Sequence, residues 1–238
     1  MFILAHPMSS AEANQGALNK SRSVCKMRKL SLACLLMTGC TTQSPHKITV
    51  PQNSGYLRAN GWVASYGNGV KLAPTAKGWS FDFPPSPGHV NYVMAPYTAS
   101  KSHKTIRITF KVTALSGSPQ FVSIEQGCGN QPANFRLLLE RRGDTLSSTQ
   151  EFFRWWSNPD HVKLVADGQL HTLTVPLIPE RWSSVFGKFG SQVPSEFNTG
   201  LQNLAGAGIT FGGGCFFGHG VHVTGGKARF ELIDFRIQ

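Results

Sequence analysis

From Tyr56 to Gln238 the apolar residues recur at every second position over short runs, and Gly, Pro, Asn or Ser ends each run. A period of two places successive side chains on opposite faces of an extended backbone, so such a segment buries one face and wets the other. The clearest run is Thr105 to Val112, where Ile106, Ile108, Phe110 and Val112 point one way and Arg107, Thr109 and Lys111 the other. Trp79 to Phe83 alternates and stops at Pro84-Pro85, and Val90 to Met94, Phe121 to Ile124, Phe135 to Leu139 and Ile209 to Phe211 are further strands by the same pattern. Asp167-Gly168 is a hairpin signal, and the alternation of Leu173, Val175 and Leu177 after it puts Pro176 at an edge or a strand end. Val221 to Val223 precedes a Gly225-Gly226 turn. In the run that follows, the apolar phase moves from Ala228, Phe230 and Leu232 to Ile233, Phe235 and Ile237, a slip that predicts a β-bulge or a change of partner.

Helical spacing occurs only twice. Trp182, Val185 and Phe186 share a face after Pro179, with Gly187 placed to end the segment; Phe197, Leu201 and Leu204 do so after a Ser195 cap. Many short strands with one or two short helices predict an all-β, antiparallel β-sandwich of jelly-roll type, in one domain spanning residues 56–238.

Ahead of this domain, Met27 to Gly39 reads as an export signal: Arg28-Lys29, an apolar run from Leu30 to Met37, then small residues. Met37-Thr38-Gly39-Cys40 resembles the lipobox of bacterial lipoproteins. That resemblance implies acylation of Cys40, cleavage before it, and a lipid anchor in the cell envelope, at the outer membrane if the organism has one, because Thr41 rather than an aspartate follows. Residues 1–26 then read as a gene-model extension and residues 40–55 as the lipidated cysteine and a polar tether. Of the 23 Lys and Arg and the 12 Asp and Glu, five and one fall before Cys40, which leaves 18 against 11, a charge of +7. Such a surface suits acidic polysaccharide or anionic lipid, and export argues against nucleic acid; the basic residues are also scattered singly, as on a solvated face. Cys128 and Cys215 are the cysteines left over, and an oxidising compartment predicts a disulfide between them, against two separate buried thiols. Closing a loop of about 90 residues would stabilise the fold by about 4–5 kcal/mol on the chain-entropy account.

The frame from Tyr56, with its final run Lys227 to Ile237, resembles the galactose-binding-like jelly rolls shared by many bacterial carbohydrate-binding modules. The resemblance implies a glycan or polysaccharide ligand, and a structural calcium on an acidic residue near the last strand, for which Asp234 is the match. The residues themselves direct attention to Phe152-Phe153-Arg154-Trp155-Trp156-Ser157-Asn158. In a strand, Arg154 and Trp156 share a face and Trp155 takes the other, so both faces cannot be core unless Arg154 lies at an edge. At least one of Trp155, Trp156 and Trp182 is therefore expected to be exposed and to stack on a sugar, with Glu151, Arg154 and Asn158 bonding to its hydroxyls. The opposing expectation is that these tryptophans close the core.

Catalytic patterns are absent: the chain has no G-x-S-x-G, H-E-x-x-H, C-x-x-C or phosphate-binding glycine motif. Glu125 and Glu151 are the glycosidase candidates nearest aromatic clusters, and His161 with Arg154 is a conceivable lyase pair. The reading is a monomeric, anchored, sugar-binding lipoprotein, with a structural or protein-binding envelope lipoprotein and a polysaccharide-degrading enzyme as alternatives.

Overall fold

The computed structural model describes residues 61–65, 70–97, 102–124, 132–213 and 219–238. Cys40, Cys128, Cys215 and Glu125, and with them the leader, the tether and the disulfide expectation, lie outside the described residues. Among the described residues, ten strands form two five-stranded sheets. The first contains β1 (Val63–Ser65), β4 (Tyr92–Pro96), β9 (Leu204–Gly212), β6 (Asn134–Arg141) and β7 (Arg154–Lys163), in that spatial order. The second contains β2 (Ala73–Pro74), β3 (Trp79–Asp82), β10 (Val221–Ile237), β5 (Thr105–Ser123) and β8 (Asp167–Pro176). Every strand pairs antiparallel with its neighbours, and the chain passes repeatedly from one sheet to the other, giving the expected jelly-roll sandwich.

The period-two reading of β5 is met: Ile106, Ile108, Phe110 and Val112 are buried and Arg107 is exposed. They face Phe135, Leu137 and Leu139 of β6 and Ile209 and Phe211 of β9. Phe110 stacks on Phe230 at 5.4 Å and meets Phe135 edge-on at 4.6 Å, so the centre of the sandwich is a cluster of offset and T-shaped rings. Each such phenylalanine removed from water contributes about 1.5–3 kcal/mol.

The slip after Leu232 is a bulge in the β5–β10 ladder between Leu232 and Asp234. The Gly225-Gly226 turn does not form. Those glycines lie inside the single strand β10, where Gly225 (φ +69°) and Gly117 (φ +61°), which pairs with Gly226, take left-handed conformations, and a Cβ on Gly117 would come to 2.5 Å from the Gly225 carbonyl oxygen. A close approach of two backbones, rather than a reversal of chain direction, requires glycine there. Asp167-Gly168 likewise makes no hairpin, because β7 and β8 belong to different sheets; the Asp167 carboxylate accepts from the Gln169 amide and starts β8. Pro176 ends β8, an edge strand.

Of the two expected helices one exists, α1 (Pro194–Gln202), carrying the buried Phe197. After Pro179 there is only a 3-10 turn over Pro179–Arg181. Ser183 then exchanges both backbone hydrogen bonds with Trp156, at 2.9 Å each, and this pairing along the edge of β7 keeps the segment extended. Trp182 therefore enters the core, Val185 packs over Trp156 and Phe186 is exposed, so they share no face.

Candidate functional site

All three candidate tryptophans are buried, Trp155 at 1%, Trp156 at 3% and Trp182 at 0% exposure, so none is a platform for a sugar. The edge condition is met: β7 is the outermost strand of its sheet. Trp155 points into the sandwich against Phe197 of α1, edge-on at 5.1 Å. Trp156 points out of the sheet, but Leu138 and Tyr92 flank it and Leu146 and Val185 from neighbouring loops cover it. Trp182 donates its indole N–H to the Pro176 carbonyl at 2.8 Å.

The polar candidates are also occupied. Arg154 lies 3.0 Å from Asp144 through Nε, an ion pair that lacks hydrogen-bond alignment, and donates through Nη2 to the Ser147 carbonyl at 2.6 Å. With side-chain exposures of 6% and 0%, Arg154 and Asp144 form a buried pair. Asn158 accepts from Arg136 Nε at 3.2 Å; that buried guanidinium also donates to Asn134 and to the Gly213 carbonyl, and burial pushes it down to about 10. The His161–Arg154 lyase pairing fails on the side of Arg154, which Asp144 holds, while His161 is exposed. Asp234 accepts from Arg236 at 2.8 Å and lies beside Lys77. Among the described residues no group of three or more His, Cys, Asp or Glu could hold a metal, so a calcium at Asp234 would draw its other ligands from carbonyl oxygens.

Of the residues expected to meet a sugar, Glu151 lines an open concavity. The β6–β7 connection and the first turns of α1 line a cleft of about 460 Å³, to which the connection contributes Gln150, Glu151, Phe152 and Phe153, α1 contributes Glu196 and Thr199, and the end of β6 contributes Arg141. Phe152 also stacks on the inner Trp155, with centroids 6.0 Å apart, so one ring joins the cleft to the core. The loop that supplies Thr149 to Glu151 is held from within: Gln150 accepts from the Thr145 amide at 2.7 Å and donates to the Gly143 carbonyl at 3.0 Å, and Asp144 accepts from the Leu146 amide at 2.8 Å. Glu151 pairs with Lys188 at 3.3 Å and accepts from the Ser184 hydroxyl at 3.2 Å.

Beneath this loop, Glu140 of β6 lies opposite Arg154 in the ladder. Burial and the nearby Asp144 charge raise the Glu140 carboxyl to about 7, against the pull of Arg154, and burial also raises Asp144. One arginine thus serves two buried carboxyl groups, and Glu140 accepts the proton more readily than a free carboxylate would.

A second concavity of about 330 Å³ opens between the sheets beside Trp62, Tyr97 and Phe235. Trp79 is fully buried and Trp62 nearly so, and Tyr97 is engaged with His103, so this opening is an end of the core rather than a flat platform.

Compared with known protein families the sequence matches none, and no characterised protein matches it. Among solved structures it is similar to a xylan-binding module, CBM15, with 14% identity and a TM-score of 0.37, over 73% of this chain and 91% of that one. It is also similar to the C-terminal CBM6 of LamC, a marine laminarinase from Zobellia galactanivorans, with 11% identity and a TM-score of 0.29, over 71% of this chain and 92% of that one. Neither superposition transfers a ligand to this chain.

The aromatic stretch singled out in the sequence borders the cleft, but its tryptophans are buried and the rings that line the cleft are Phe152 and Phe153. Phe152 and Phe153 precede β7 and remain at the surface, whereas the residues inside the strand are consumed by the two faces of its sheet. Arg141 and Glu196 lie 10 or more residues from that stretch on either side, and no local pattern joins them to it.

Proposed function

We propose that the sandwich binds a glycan in the cleft between the β6–β7 loop and α1, in an exported lipoprotein anchored through Cys40. The observation that carries this reading is the pair Phe152 and Phe153 lining a concavity rimmed by carboxylate, amide and hydroxyl groups. A pyranose ring has apolar C–H faces that pack on aromatic rings and a perimeter of hydroxyls that needs donors and acceptors. The volume is at the lower end of the ~300–1,000 Å³ of small-molecule clefts. Phe153→Ala should abolish binding on a glycan array while leaving the melting transition within a few degrees, since its ring is only half-buried. Unchanged binding of every glycan by both Phe152→Ala and Phe153→Ala would place the site elsewhere.

A hydrolytic reading has one observation of its own, the two carboxylates Glu151 and Glu196 on the same cleft, as acid-base cleavage of a glycosidic bond requires. Release of reducing ends from a polysaccharide panel, lost on Glu196→Gln, would establish it over simple binding.

A further inference from the structure

Arg141 is placed unlike the other arginines that face carboxylates in this fold. Arg154 is committed to Asp144, Arg181 to Asp160, Arg229 to Asp82 and Arg236 to Asp234. Arg141 lines the cleft, its guanidinium carbon 4.5 Å from the centre of the Phe153 ring, and among the described residues no carboxylate pairs with it. Its backbone is fixed as well, since its amide donates to the Phe153 carbonyl at 2.7 Å at the end of β6. Stacking on a ring holds a guanidinium flat while its N–H donors point outward in plane, the geometry that takes a carboxylate in a two-bonded fork.

The two acids on the same cleft do not cancel this preference. Glu151 is already paired with Lys188 and Ser184. Glu196 sits in the first turn of α1, where the helix end offsets its charge. Both suit the role of accepting sugar hydroxyls, which leaves the charge of Arg141 for an anion.

On the glycan-binding reading above, we propose that this cleft selects uronic-acid glycans, Arg141 receiving the sugar carboxylate while the Phe152 and Phe153 rings pack on the ring face. The test measures affinity of the full chain for a panel of uronic oligosaccharides and for the same oligosaccharides after chemical reduction of each carboxyl to a primary alcohol. The expected result is an acidic form bound at least ~10-fold more tightly, the scale of one charge-assisted fork. Arg141→Gln should remove the difference, Arg141→Lys should restore only part of it, and Arg142→Gln, at the exposed neighbouring position, should leave it intact. Melting curves of the variants show that each is folded. Equal affinity for acidic and reduced forms, with binding still lost on Phe153→Ala, overturns the uronate preference and leaves the glycan reading standing. Equal affinity for poly-glutamate, or a difference that survives Arg141→Gln, also overturns it. No binding of any acidic or reduced oligosaccharide sinks both.

Discussion

Arg154 and Asp144 show at single-residue scale how the cleft is supported from below. Removing the guanidinium leaves the Asp144 carboxylate, itself fully buried, without its counter-charge. Arg154→Ala should therefore cost about 3–5 kcal/mol, read as a fall in the denaturant midpoint. Glu140 adds a dependence on pH. Its carboxyl is raised from 4.5 to about 7, so between those values the folded chain holds a proton that the unfolded chain has released. The stability it contributes is present below about 4.5 and is lost as pH rises through 7, by at most ~3 kcal/mol. Glu140→Gln should flatten the stability profile between pH 4.5 and about 7, and an unchanged dependence of stability on pH across that window in chemical denaturation would refute the assignment.

At the scale of elements, the cleft depends on how closely α1 lies against β7. A Cβ on Gly200 would sit 2.7 Å from the Trp155 indole nitrogen, so that glycine lets the helix rest on the ring. Gly200→Ala gains up to ~1 kcal/mol of helix propensity but must move the helix or the ring, at a cost of about 1–3 kcal/mol. The expected outcome is a small net loss of stability with a disproportionate loss of glycan affinity, because Glu196 and Thr199 on the cleft wall move with α1. Trp155→Ala, which empties the other side of that contact, should cost about 3–5 kcal/mol in thermal or denaturant unfolding.

These elements also show what a linear pattern carries. The bulge after Leu232 was legible because a phase slip in side-chain alternation is a local property. The Gly225-Gly226 segment was not, since whether two glycines reverse the chain or bulge within a strand depends on the strand opposite them. Trp156 was misplaced for a related reason: its alternation puts it outside the sheet, but its burial comes from Leu146 and Val185, which only the tertiary fold brings over it. Arg141 was legible as part of a turn; that it lacks a carboxylate while four other arginines have one is a property of the assembled surface.

For the whole molecule the anchoring reading makes predictions that the domain does not. Cys40→Ser should release the protein from the membrane fraction or block its maturation, whereas the unsubstituted chain should stay through a high-salt wash, as more than one acyl chain requires. Soluble protein of uncleaved mass would refute the anchor. Non-reduced peptide mapping should find Cys128 joined to Cys215, and two alkylatable thiols in native protein would count against the bridge.

The two longest strands, β5 and β10, lie side by side in the middle of the second sheet although about a hundred residues of chain separate them. This ladder closes late, because loop entropy must be overcome before any of its hydrogen bonds form, and rates fall as contacts become more distant in sequence. Its second member follows every other described strand in chain order. Until β10 is in place, β3 and β5 lack the strand that joins them, and the aromatic cluster lacks Phe230. A chain of this design stays open until β10 is delivered to the sheet, so the order of its strands delays closure of the core.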